Sequence, residues 1–416
     1  MTVTSLWHPF ANMAAVDGNE LTIERGEGVH VWDATGKRYL DATASLWYMN
    51  VGYGRTSIGE AMAAQSAQLA GYHIFGDFSN VPADRLADRL AAIAPLPGSK
   101  VFLASGGSDA VDTAAKLARR YFSLTGEPER TVLITRDWAY HGTHAYGTSL
   151  AGLAPNLEGF GPMVPDVVKV PHDSVDALRE AIDDVGADRV AGLFCEPVIG
   201  AGGVRPVSDV YLKDARAVIH EAGALFIADE VITGFCRTGD WFASTRFSLE
   251  PDLLTFAKGV TSGYAPLGGV IAAPRVAAPF WEGDGAMWRH GYTYSGHPVV
   301  CAAALANLDI LEQEGLAARA LELESEIMDA LSPLLDHPAV EHIRGGVGAL
   351  AAVQLGGDAG PDVMTAAGKA ATASREAGVI TRALAGGGLQ VSPPLVISRD
   401  QLDELAAGLR AGLDAL

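Results

Sequence analysis

Between about residue 100 and residue 275, short apolar runs alternate with longer stretches of helical periodicity. The runs fall at residues 101–103, 131–134, 190–194, 224–228 and 253–256. None of them alternates polar with apolar positions, as suits a strand buried on both faces. Helical segments between such strands predict βαβ units and a mainly parallel sheet. The flanks read differently. Residues 26–39 predict a small antiparallel hairpin with a polar turn, and residues 299–335, rich in Ala, Leu and Glu, predict one long helix. Residues 340–416 mix short strands and helices. The expected fold is α/β: a large domain from residues 49–300, with a mainly parallel central sheet between helices. A smaller α+β domain is expected from both chain ends, residues 1–48 and 301–416.

In an open parallel sheet, ligands bind beyond the carboxyl ends of the strands. Five runs here end on chemistry-bearing residues. The first leads into Ser105-Gly106-Gly107-Ser108-Asp109 and then a good helix sequence. A glycine-rich turn at a helix N-terminus offers free N–H groups and a dipole to a phosphate, although a serine-capped turn of no function reads the same. The second leads to Trp138-Ala139-Tyr140-His141-Gly142, where an aromatic can stack on a planar ring or simply cover the core. The third ends at Glu196 and the fourth at Asp229. An acid straight after a buried strand is costly without a partner, so Asp229 is either functional or held in a structural pair.

The fifth run ends at Lys258. Lys116, Lys213 and Lys369 lie in helix-like stretches, and Lys37 sits in the hairpin turn. Lys100 precedes a strand and Lys169 lies between short apolar pairs, so only Lys258 directly ends a long buried run. Burial lowers a lysine pKa and makes the amine nucleophilic; a lysine snorkelling at the sheet edge is the alternative. A phosphate cradle, a stacking aromatic, an acid and a lysine on one sheet are the four needs of pyridoxal 5′-phosphate (PLP). Its phosphate is anchored, its ring held flat, its ring nitrogen kept protonated and its aldehyde bound as an imine.

Composition narrows the field. The chain has 416 residues, 49% of them hydrophobic and 19% charged, enough for a large core and too little polar tract for disorder. The formal net charge of -20 would repel nucleic acid and anionic membranes. Cys195, Cys236 and Cys301 are dispersed, which argues against a disulfide framework and against a thiolate metal site; no metal is expected. Met1–Phe10 lacks the pattern of an export leader, and no apolar stretch reaches the about eighteen residues of a membrane span. A cytoplasmic location is expected. A nicotinamide dehydrogenase would want G-x-G-x-x-G after an early strand, and the sequence has none there.

With these residues in hand, the chain resembles a class III aminotransferase of PLP fold type I, of the ω-amino acid or amine:pyruvate kind. The motifs carrying the resemblance run from Trp7-His8-Pro9-Phe10 to Pro393-Pro394-Leu395. They include Ser45-Leu46-Trp47, Asn50-Val51-Gly52-Tyr53-Gly54, Tyr140-His141-Gly142 and Glu196-Pro197-Val198-Ile199-Gly200. Ala228-Asp229-Glu230-Val231, Phe256-Ala257-Lys258-Gly259 and the segment from His290 to Pro298 complete the set.

The resemblance implies that Lys258 forms the Schiff base and shuttles the proton. It implies that Asp229 bonds the pyridinium nitrogen, that Val231 and Tyr140 cover the two ring faces, and that His141 belongs to the cofactor site. Gly107 and Ser108 would hold the phosphate. Thr293 would reach the phosphate of a neighbouring subunit, which makes a homodimer, alone or paired into a tetramer, part of the site. Trp47 and Tyr140 would line the substrate pocket, and Arg382 would bind a substrate carboxylate. The implied partners are an amine donor and a keto-acid acceptor, probed in turn in a ping-pong cycle with pyruvate. Alternatives are 7,8-diaminopelargonate synthase, which would carry Trp-Trp at Leu46-Trp47, a 4-aminobutyrate or β-alanine aminotransferase, and a non-catalytic PLP-fold protein. The chain departs from its relatives at Gly106, Asp109, Val111 and Cys236, and Gly76 stands where a pocket aromatic is common.

Overall fold

The computed structural model describes residues 5–416. The first four residues, part of the Met1–Phe10 segment discussed above, lie outside the described residues. Strands β1 (Ile23–Glu27), β2 (His30–Asp33) and β3 (Arg38–Asp41) form the antiparallel ribbon expected near the N-terminus. Then follow β4 (Lys100–Ala104), β5 (Val132–Arg136), β6 (Val167–Val170), β7 (Val190–Cys195), β8 (Val198–Ile199) and β9 (Arg205–Pro206). Strands β10 (Leu225–Asp229), β11 (Leu253–Phe256) and β12 (Gly268–Ala272) complete the central part. The C-terminal part holds β13 (Val340–Arg344), β14 (Ala351–Leu355), β15 (Val379–Ile380), β16 (Ala383–Leu384) and β17 (Gly388–Val391).

The central sheet has seven strands in the order β4-β12-β11-β10-β7-β5-β6. All run parallel except β12, which opposes both β4 and β11. Every residue of β5, β7, β10 and β11 is buried. Helices cover both faces of the sheet, which is why these strands carry no polar side. Helix Gly107–Leu124 packs Ala110, Val111, Ala114 and Ala118 against Phe194, Leu225 and Ile227 on one face. On the other, helices Val175–Val185 and Asp209–Glu221 pack Leu178, Ile182, Leu212 and Ile219 against Leu193 and Phe226.

Two strands of the seven-stranded sheet escaped the sequence pattern. Strand β6 is interrupted by Lys169, and β12 opens on Gly268-Gly269, so neither reads as an apolar run. The single helix expected over residues 299–335 is instead two, Pro298–Gln313 and Leu316–Leu331. Gly315 between them takes φ 62°, a left-handed conformation that ends the first helix at little cost to glycine.

Segments from the two ends of the chain pair with each other. Strand β15 pairs parallel to β3, with Val379 opposite Leu40 and Ile380 opposite Asp41. Strands β13, β14, β17 and β16 form a separate antiparallel sheet. No helix among the described residues is long and apolar enough to cross a membrane.

Candidate active site

A cavity of about 440 Å³ opens at the carboxyl ends of the parallel strands. The segments following β4, β5, β7, β10 and β11 all contribute to its wall, through Gly107, Tyr140, Glu196, Asp229 and Lys258. Parallel strands deliver this convergence because each ends on the same edge of the sheet.

At one end lies the turn between β4 and helix Gly107–Leu124. The first turn of that helix leaves N–H groups without intrahelical partners, and they carry the positive end of its dipole. Ser108 Oγ accepts a 3.0 Å bond from Thr143 N, which ties this turn to the Tyr140-His141-Gly142 segment. Gly142 sits at φ 96°, and a Cβ there would lie 2.5 Å from Ser108 Oγ. Asp109 would oppose an anion, yet its carboxylate is drawn aside: Oδ2 accepts from Ser105 N at 3.0 Å and Oδ1 meets His144 Nε2 at 2.7 Å.

In the middle, Asp229 ends β10 in a buried position. Its Oδ2 lies 2.6 Å from His141 Nδ1, and its Oδ1 accepts from Val231 N and Thr255 Oγ1, each at 3.1 Å. His141 is buried too, and its Nε2 has no partner among the described residues. Val231 packs beside the cradle, where a Cβ on Gly107 would lie 3.0 Å from Val231 Cγ1. Tyr140 lies on the wall with burial raising its pKa, and Phe10 meets it edge-on with ring centroids 6.5 Å apart.

Lys258 follows β11 after one alanine and takes φ 48°. A left-handed lysine costs about 1 kcal/mol or more, so the surrounding structure imposes this pose. Burial pulls its amine down to about 8, against the opposing pull of Asp229 and Glu196. Glu196, missed above as a site residue, is fully buried and holds the wall: Oε1 accepts from Tyr140 N and Oε2 from Gly200 N, each at 3.0 Å. Burial raises its pKa, His141 lowers it and Asp229 raises it. The signal that singled out Asp229, an acid directly after a buried strand, marks Glu196 equally.

The remaining candidates stand further out. Trp47 is buried and takes φ 63°, in a stretch where Ala44 and Ser45 are also left-handed. The Arg382 guanidinium lies 4.3 Å from the centre of its ring. Burial lowers the Arg382 pKa to about 10, and no carboxylate among the described residues pairs with it. Thr293 is exposed and does not line the cavity of its own chain. Gly76 lies in a separate groove with Phe75 and Trp288. Val111 does line the cavity, as do Tyr48, Thr261, Pro266 and Leu267, which no sequence signal marked. The Asn50 and Arg237 motifs prove to be one structural unit: Arg237 Nη2 donates to Asn50 Oδ1 at 2.6 Å, and Asn50 Nδ2 donates to Phe235 O at 2.7 Å.

The donor set fits a flat, phosphorylated, aldehyde-bearing pyridine. It has a helix N-terminus for the anion, Val231 and Tyr140 for the ring faces, a buried carboxylate for a ring nitrogen and an amine for the aldehyde.

A fold of this kind with this constellation defines a PLP-dependent transferase of fold type I. The family model "Aminotransferase class-III" matches residues 13–413, and the chain belongs to that family, whose members are PLP-dependent aminotransferases. It is 38% identical to the probable aminotransferase Rv3329 of Mycobacterium tuberculosis, over 99% of this chain and 93% of that protein. It is 36% identical to the putrescine–pyruvate aminotransferase of Pseudomonas aeruginosa, over 94% of this chain and 90% of that one. Its structure resembles that of a thermostable (S)-enantioselective omega-transaminase from Thermomicrobium roseum, with TM-score 0.94, 38% identity and coverage of 98% and 95% of the two chains.

Proposed function

We propose that this aminotransferase moves an amino group from a primary amine or ω-amino acid to a keto acid, pyruvate first among them, by a ping-pong cycle. The observation that carries the reading is that Lys258 and Asp229 line one cavity, with Arg382 over Trp47 and paired with no carboxylate among the described residues. Lys258 would hold the cofactor's aldehyde. Gly107 and Ser108 would hold its phosphate, Asp229 its ring nitrogen, and Val231 and Tyr140 its two faces. His141 fixes Asp229 from behind through the 2.6 Å contact. When bound, PLP supplies an electron sink for charge developing on the substrate carbon.

The residues of the chain do the rest. Once displaced by an incoming amine, Lys258 is a neutral base at mildly alkaline pH, because burial has brought it to about 8. Its Nζ can therefore take a proton from the substrate carbon and return it elsewhere in the same cavity. Trp47 and Tyr140 bound the space for the substrate. The Arg382 fork accepts a carboxylate in two-point fashion when the substrate has one. A keto acid entering after the first product leaves uses the same groups in reverse order. A putrescine–pyruvate enzyme among the relatives supports an amine donor with a pyruvate acceptor.

We further propose a homodimer. Tyr72, Phe75, Phe78 and Tyr294 expose large apolar surface, and Thr293 beside Tyr294 is free to reach a neighbouring subunit's phosphate. We divide the chain at residues 48 and 300, a division that the β3–β15 pairing of its ends supports.

An amine screen tests the reading. Purified holoenzyme should lose its visible cofactor absorbance with 1-phenylethylamine or β-alanine and regain it with pyruvate. If only S-adenosylmethionine discharges it, the diaminopelargonate alternative holds; if no amine does, the chain is a non-catalytic binder.

A further inference from the structure

We propose that Gln390 is a positioning residue that sets the pose of Arg382, and through it this enzyme's preference for substrates bearing a carboxylate. The inference rests on the carboxylate-binding reading of Arg382.

Strand β17 is buried along its whole length, and Gln390 stands in it between Leu389 and Val391 with 0% exposure. A primary amide in such a place loses its water and must be repaid by hydrogen bonds. Here the amide bonds to three neighbours, one of them Thr43 O, to which Nε2 donates at 3.4 Å. Gln390 Oε1 accepts from Arg382 Nε at 2.7 Å, and Gln390 Nε2 donates to Ser392 Oγ at 2.6 Å. The two backbones are tied as well: Gln390 N donates to Arg382 O at 3.0 Å, and Thr381 Oγ1 donates to Gln390 O at 2.7 Å. The amide is thus fixed at its far end by Ser392, and it aims its oxygen at the arginine.

Two consequences follow from which atoms are engaged. Among the described residues only Nε of Arg382 has a hydrogen-bond partner, which leaves the paired Nη groups for a carboxylate. The tether is also neutral. A glutamate at position 390 would hold the arginine equally well but would cancel its charge permanently. The glutamine holds the guanidinium over Trp47 and leaves it electrostatically hungry, in a site where burial already disfavours an unpaired charge. Arriving carboxylate relieves that cost, and an uncharged amine does not.

The test compares holoenzyme variants Gln390→Met and Gln390→Glu, with β-alanine as acid and 1-phenylethylamine as uncharged amine. Gln390→Met removes the acceptor at similar length, and Gln390→Glu keeps the shape while adding a charge. Both should lower the ratio of kcat/KM for the acid over that for the amine by about tenfold, the worth of one hydrogen bond to a charged group. The loss should fall in KM for the acid and not in kcat. Gln390→Glu decides the matter if Gln390→Met fails to fold. Equal losses with acid and amine, or no change in the ratio, would overturn the latch. Arg382→Ala separates the two levels. If it lowers the ratio while the Gln390 variants do not, the latch alone is wrong. If it leaves the ratio unchanged, the carboxylate reading is wrong as well.

Discussion

His141 Nδ1 lies 2.6 Å from Asp229 Oδ2, with both side chains buried and Thr255 and Val231 occupying the other carboxylate oxygen. Three partners thus hold the carboxylate in place, one on Oδ2 and two on Oδ1. An Asp229→Asn variant keeps the shape but loses the charge and mismatches the histidine. Its turnover number is expected to fall about 100-fold or more, in keeping with the loss of a preorganised electrostatic partner. Single-turnover rates with a saturating amine check this; wild-type rates would remove Asp229 from the site.

Lys258 should be the residue captured covalently. Borohydride reduction of the holoenzyme, followed by peptide mapping, is expected to find the added cofactor mass on the peptide holding Phe256-Ala257-Lys258-Gly259. Lys258→Ala should show neither the label nor measurable turnover. A label on Lys116 or Lys213 instead would sink the assignment.

The same lysine should leave a mark on stability. Folding holds its amine at about 8, below the ordinary value of 10.5. Between those two values the unfolded chain binds more protons than the folded one, so stability of the cofactor-free protein rises with pH there. Below about 8 both states are protonated and the folded state bears the full penalty. Lys258→Met is therefore expected to raise the melting temperature of cofactor-free protein at about pH 7, and to lose that advantage by about pH 10. Thermal scans at the two pH values measure it; a constant difference would refute the burial argument.

Gly142 offers a backbone test of the phosphate cradle. Its φ of 96° disfavours any side chain, and a Cβ would meet Ser108 Oγ at 2.5 Å. Gly142→Ala should push Ser108 out of place at a cost of about 1–2 kcal/mol for the backbone alone. Cofactor affinity should drop about tenfold or more, read as the PLP dissociation constant by dialysis. Unchanged affinity would mean that the turn carries no phosphate.

Much of this was legible from one chain. Runs buried on both faces are apolar without alternation, so β5, β7, β10 and β11 announced themselves, and β4, half-buried at the sheet edge, did so by its short apolar run. Because parallel strands end on one edge, the residues following them could be assembled into a site before any coordinates. That rule singled out Lys258 and Asp229, and both line the cavity. Glu196 obeys it too and was passed over as a site residue. Strands β6 and β12 hid behind Lys169 and Gly268-Gly269, since a polar or glycine residue breaks the run without breaking the ladder. The long helix over residues 299–335 was misjudged because helical periodicity says nothing of a single left-handed glycine.

The sequence by itself therefore determined the class of fold, the edge of the sheet where the cavity opens and the one lysine that directly ends a buried run there. These follow from local periodicity and from hydrophobic burial, which are written residue by residue. Only the tertiary structure decided that His141 backs Asp229, that Glu196 props Tyr140, and that Gln390 reaches Arg382 across a strand pair. Such contacts join residues whose spacing along the chain carries no period, so their partners are chosen by packing in three dimensions.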